Sequence, residues 1–134
     1  MKQVELYTDG ACSGNPGKGG WGALLKFGEV TKELSGYAPD TTNNRMELSA
    51  VIEGLKALNQ PCEVTVFSDS QYVVNTLNKG WKKNKNKDLW EDLDNVMAQH
   101  KVKFVWIKGH NGHTENEICD RLAVGEIVNA GGAG

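Results

Sequence analysis

The chain is 134 residues long, 39% hydrophobic and 24% charged, the size and composition of one soluble globular domain with a core of its own. No apolar run approaches the roughly 18 residues of a membrane span, and Glu5 stands where a signal peptide has its apolar region. Three scattered cysteines, Cys12, Cys62 and Cys119, form neither a disulfide framework nor the short spacing of a zinc site, so the expectation is a cytoplasmic protein with reduced thiols.

Val4-Glu5-Leu6-Tyr7-Thr8-Asp9-Gly10 alternates apolar and polar residues and reads as a strand with one buried face. Asp9 then stands at the strand's carboxyl end, where open α/β sheets place their ligands. The next ten residues, Ala11 to Gly20, hold four glycines and a proline, a loop able to turn tightly beside whatever Asp9 holds. Trp21–Phe27 and Val30–Tyr37 flank Gly28-Glu29, a tight hairpin with glycine first. The opening is therefore a three-stranded antiparallel meander.

Thr42 and Asn43 are cap candidates for an amphipathic helix carrying Leu48, Val51, Ile52, Leu55 and Leu58, with Glu47 in its first turn. From there strand and helix alternate, which predicts parallel pairing. Glu63–Ser68 is a strand followed by Asp69, and a helix capped by Asp69 or Ser70 carries Tyr72, Val73, Val74 and Leu77. Asp88 and Glu91 have the spacing of a capping box ahead of a stripe through Leu89, Trp90, Leu93, Val96 and Met97. Val102–Ile107 is the last strand. Thr114 and Glu117 form a second capping box, opening a helix that carries Asp120. Trp90 and Trp106 fall in apolar patterns and are expected in the core. Residues 1–128 are expected to form one domain, and 129–134 a flexible Gly/Ala-rich tail that frays.

The net charge of −2 conceals a segregated charge distribution. Lys79, Lys82, Lys83, Lys85 and Lys87 place five positive charges in nine residues; without them, ten basic residues face seventeen acidic ones. A lysine run alone is usually a solvated loop, but Trp81 lies inside this one, as in a groove that tracks a nucleic-acid backbone.

Asp9, Glu47, Asp69 and Asp120 occupy comparable places, two after strands and two in early helical turns. Separately each has an ordinary reading: Asp69 as a helix cap, Glu47 as a charge favouring its helix N-terminus, Asp120 as a partner of a nearby lysine. If they converge, four carboxylates need a cation to neutralise them. Oxygen-only ligation selects Mg²⁺ or Mn²⁺. Two such ions roughly 4 Å apart suit in-line displacement at a phosphodiester.

Thr8 to Gly17, Thr42 to Leu48, Ser68 to Val73, and Gly109 to Glu117 leading to Asp120 resemble, in order, the successive motifs of bacterial type 1 ribonuclease H. The resemblance implies an α/β fold in which a five-stranded mixed sheet, three strands in an antiparallel meander plus two parallel, is flanked by helices. It implies an endonuclease cutting the RNA strand of RNA/DNA hybrids with two Mg²⁺ ions bound together with substrate, Mn²⁺ substituting, and leaving 5′-phosphate and 3′-hydroxyl ends. By the same resemblance Asp9 is the central metal-bridging acid, Glu47 and Asp69 are further ligands, and Asp120 helps hold the metal on the nucleophile side. His110 matches the histidine that assists protonation or product release; His113, not carried over from the family, is read as structural, holding the loop beside the Thr114 cap. Cys12, Asn15, Asn43, Asn44 and Gln71 match positions lining the minor groove, where the 2′-hydroxyl distinguishes RNA. Thr42 with Asn15 matches a contact to a DNA-strand phosphate.

The chain departs from the family where many members carry a longer basic protrusion; only Lys79 to Lys87 remains. Hybrid binding is then expected to rest on Trp81, Lys82, Lys83 and Lys85, with no additional hybrid-binding domain ahead of the first strand. No membrane or obligate protein partner is indicated, and a monomer is expected. The rival readings are a catalytically idle hybrid-binding module and a DNA-acting metal nuclease of the same fold.

Overall fold

The computed structural model describes residues 1–80, 83, 85–108 and 114–132. Its elements run β1 (Lys2–Gly14), β2 (Gly17–Phe27), β3 (Val30–Thr41), α1 (Asn43–Lys56), β4 (Cys62–Ser68), α2 (Gln71–Lys79), α3 (Lys87–Met97), β5 (Lys101–Trp106) and α4 (Thr114–Gly132). The strands form one mixed sheet in the order β3-β2-β1-β4-β5. β1, β2 and β3 make the antiparallel meander, and β4 pairs parallel with both β1 and β5. Gly28 supplies the positive φ, 57°, at the first position of the β2–β3 turn.

The glycine-rich stretch corrects one expectation. It is not a loop after Asp9: β1 continues to Gly14, turns through Asn15 and Pro16, and returns as β2 from Gly17. Most of these glycines serve close packing between elements. A Cβ on Gly20 would strike the Ala123 carbonyl of α4, and one on Gly22 the Cys119 carbonyl. Glycine inside a strand marks such close approaches of another backbone.

The main core lies between one sheet face and helices α1, α2 and α3, with Leu6, Leu48, Val51, Leu55, Val66, Val73 and Leu93 wholly buried. α4 packs on the opposite face, over β1, β2 and β3. Trp90 is only 1% exposed, and its indole N–H donates to the Tyr72 hydroxyl at 3.0 Å. Trp106, by contrast, is 44% exposed, correcting its placement in the core: it ends β5, past the reach of α4's cover.

One helix start and one helix end also differ from expectation. Asn86, with φ 59°, precedes α3 without a side-chain cap, and Asp88 turns instead to Arg45 of α1, accepting from both guanidinium nitrogens at 3.0 and 2.8 Å. A bidentate ion pair to another helix outcompetes the local capping box. α4 continues to Gly132, so residues 129–132 extend a helix where a fraying tail is expected.

Candidate active site

Parallel pairing of β1 with β4 ends at Thr8 and Ser68, so Asp9 and Asp69 each stand one residue past the last shared pair. Asp9 is therefore within β1 yet at the end of the parallel half of the sheet, where the strands part. The N-terminus of α1 comes down on one side: a Cβ on Gly10 would lie 2.6 Å from the Glu47 amide nitrogen. α4 comes down on the other, over Gly22, the pairing partner of Asp9. The Cys119 thiol donates to the Tyr7 carbonyl at 3.2 Å and fixes α4 one residue before Asp120.

Oxygens of Asp9, Glu47 and Asp69 all lie within 4.8 Å of one another. Asp120 joins them in lining a cleft of about 400 Å³ that also includes Gly10, Asn43, Asn44, Ser70, Gln71 and Tyr72. Asp9 is 6% and Glu47 2% exposed. The Gly10 amide donates both to Asp9 Oδ1, at 2.9 Å, and to Glu47 Oε1.

Burial, followed by the charge of Asp69, pushes the Asp9 carboxyl up to about 7; hydrogen bonds from Glu47 and Gly10 pull against that rise. Glu47 is held well above the usual carboxylate range by burial first and by Asp9 second. Glu47 Oε2 is buried with no hydrogen-bond partner among the described residues. A cluster of three acids, one of them with an orphaned carboxylate oxygen, fits a hard divalent cation, which takes oxygen ligands and relieves the repulsion.

The cap of α2 is Ser70, whose hydroxyl accepts from the Val73 amide at 3.2 Å, so the capping reading of Asp69 does not hold. The groove residues divide. Asn43, Asn44 and Gln71 line the cleft. Asn15 sits in the β1–β2 turn with its Oδ1 accepting from the Asn43 amide at 3.2 Å, and Thr42 caps α1 by accepting from Arg45 at 3.3 Å. The Cys12 thiol is turned to the Gly17 and Thr41 carbonyls, at 3.6 and 3.4 Å. Lys83 lies over the Trp90 ring at 5.3 Å and 3.4 Å from Asp94, while Lys85 is exposed. His110, Trp81 and Lys82 lie outside the described residues. Gly10 and Gly22 were not among the expected site residues, because close helix–strand approach leaves no mark in local sequence beyond the glycine itself.

The RNase H family model matches residues 1–127. A ribonuclease H of Hydrogenovibrio crunogenus is 58% identical, the match covering 92% of this chain and 94% of that protein. Among solved structures, the N-terminal RNase H domain of a Mycobacterium tuberculosis protein, fused to maltose-binding protein, superposes with a TM-score of 0.88 at 25% identity, covering 99% of both chains. LC11-RNase H1 in complex with an RNA/DNA hybrid gives a TM-score of 0.79 at 27% identity, covering 95% of this chain and 98% of that one. A mixed sheet with acidic residues gathered where its strands part defines a ribonuclease H-like protein, and the chain belongs to the ribonuclease H family.

Proposed function

We propose that this protein is a cytoplasmic, monomeric endoribonuclease that hydrolyses the RNA strand of RNA/DNA hybrids with two Mg²⁺ ions, leaving 5′-phosphate and 3′-hydroxyl ends. The observation that carries the reading is the convergence of Asp9, Glu47 and Asp69, with oxygens within 4.8 Å of one another. The hybrid found with LC11-RNase H1 supports the choice of substrate.

Asp9, Glu47, Asp69 and Asp120 would hold the divalent ions, which supply activation of the attacking water and neutralisation of charge on the leaving oxygen. Asp9, with an oxygen within 4.8 Å of oxygens of both Glu47 and Asp69, would be one of the ligands. Glu47 is fixed by the Gly10 amide through one oxygen, leaving the other for ligation. The amides of Asn43, Asn44 and Gln71 offer donors and acceptors to 2′-hydroxyls along the minor groove. Asn15 and Thr42, beside the N-terminus of α1, would meet a phosphate of the DNA strand. Lys85, Lys82 and Lys83, with Trp81, would follow the backbone further out, and His110 would assist proton transfer or release of product.

The test is a substrate panel in Mg²⁺: RNA/DNA hybrid, single-stranded RNA, duplex RNA and duplex DNA, each strand labelled in turn. Cutting confined to the RNA strand of the hybrid, with 5′-phosphate ends, is expected. Cutting of duplex DNA, or binding of hybrid without cutting, contradicts the reading.

A further inference from the structure

Trp106 is a large aromatic residue left 44% exposed at the end of an edge strand, so packing alone does not account for it. Its indole N–H donates to the main-chain carbonyl of Asp69 at 3.2 Å. The neighbouring Ile107 amide donates to the Ser68 carbonyl at 2.9 Å. The two peptide planes flanking the Asp69 Cα are thereby both anchored to the end of β5, one by backbone and one by the indole. The second plane has a further tie, since the Ser70 amide donates to Ser68 Oγ at 3.0 Å and Ser68 is itself buried. The β5 side is in turn fixed to α2, where Asn78 donates to the Phe104 carbonyl at 3.0 Å.

The carbonyl direction of a residue reports its ψ, and ψ together with φ sets where the Cβ points. With both planes held, the Asp69 carboxylate reaches Asp9 and Glu47 through its own two side-chain torsions alone. We propose that Trp106 is a positioning residue for Asp69, holding its backbone so that the carboxylate is pre-aimed at the cation site. This rests on the metal reading of the carboxylate cluster given above. It assigns the tryptophan a role distinct from substrate contact: removing the N–H loosens the ligand without removing it.

The test is Trp106→Phe, which keeps a ring and deletes the donor, compared with Asp69→Asn and with Val105→Ala, an exposed neighbour on the same strand. Mg²⁺ affinity is measured by calorimetry without substrate, alongside metal-free Tm and the steady-state constants on hybrid. Loss of one hydrogen bond scales to a weakening of Mg²⁺ binding of about 3- to 10-fold. The expectation for Trp106→Phe is that loss, a fall in kcat that added Mg²⁺ restores, unchanged KM for hybrid and nearly unchanged Tm. Unchanged Mg²⁺ affinity in Trp106→Phe while Asp69→Asn binds weakly would overturn the proposal and leave the metal reading standing. Unchanged affinity in both would overturn both. An equal loss in Val105→Ala, or a loss that comes with a large drop in Tm, would mean general loosening of β5 and would also overturn it.

Discussion

Asp9 and Glu47 bind their protons more tightly in the folded chain than in the unfolded one, because burial and neighbouring carboxylates disfavour their charged forms. A carboxyl raised in this way contributes stability that is complete below its unfolded value, near 3.8 for Asp9, and is lost as pH rises through its folded value of about 7. The metal-free protein is therefore expected to melt at a lower temperature at about pH 8 than at about pH 5.5, and Mg²⁺ to raise Tm more at the higher pH. The opposite shift, of Asp88 down to about 2 beside Arg45, acts only below that window, as pH falls through the acid range. Thermal unfolding at the two pH values, in chelator and in Mg²⁺, reads this directly; a metal-free Tm that rises with pH would contradict it. Glu47→Gln removes one of the repelling charges, so it is expected to raise the metal-free Tm at about pH 8 while weakening Mg²⁺ binding roughly tenfold or more. A variant that binds Mg²⁺ as tightly as the parent would show that Glu47 is no ligand.

Two helices meet the sheet at Asp9 because glycines admit them, and this makes the elements, more than the acids, the sensitive part of the site. A Cβ on Gly22 would collide with the Cys119 carbonyl, in the backbone of α4, where no side chain can swing aside. Gly22→Ala is expected to cost about 1–3 kcal/mol of stability and, by displacing Asp120, to lower cleavage more than it lowers hybrid binding. Gly125, on the same helix, has nothing among the described residues within 4 Å of an added Cβ; Gly125→Ala is expected to stabilise by about 0.5–1 kcal/mol with activity retained. Urea unfolding and cleavage rates of the two variants separate the cases, and similar behaviour of both would count against close approach as the cause. The same glycines explain what the sequence concealed. Strand alternation through Asp9 and the helical stripe after Thr42 are local patterns, and both elements form where they point. Gly19 and Gly20 read as a loop because nothing near them in the chain announces the close approach of Met46 in α1 and of Ala123 in α4. Asp88 likewise shows a capping spacing but not its distant partner Arg45, and the alternation of β5 shows two faces without showing that Trp106 lies beyond the helices that would cover it.

At the scale of the molecule, net charge and substrate are reconciled by separating the acids from the lysines. The acids converge in the cleft, and Lys85 stands exposed just ahead of α3, whereas Lys83 is folded back on Trp90 and Asp94. Neutralising phosphates releases counterions, so hybrid affinity is expected to fall about tenfold or more between 50 and 200 mM salt. Lys85→Ala should flatten that dependence more than Lys83→Ala; a dependence that is flat in the parent would remove the lysine segment from binding. In the proposed reaction Asp9 and its neighbours would hold the divalent ions needed to cut the RNA strand. Its most direct test is cleavage of a hybrid end-labelled on the RNA strand, in Mg²⁺ and in chelator, by the parent and by Asp9→Asn. Cutting by the parent in Mg²⁺ alone is expected, and none by Asp9→Asn although that variant still folds and binds hybrid. Cutting in chelator, or by Asp9→Asn at the parent's rate, would contradict it.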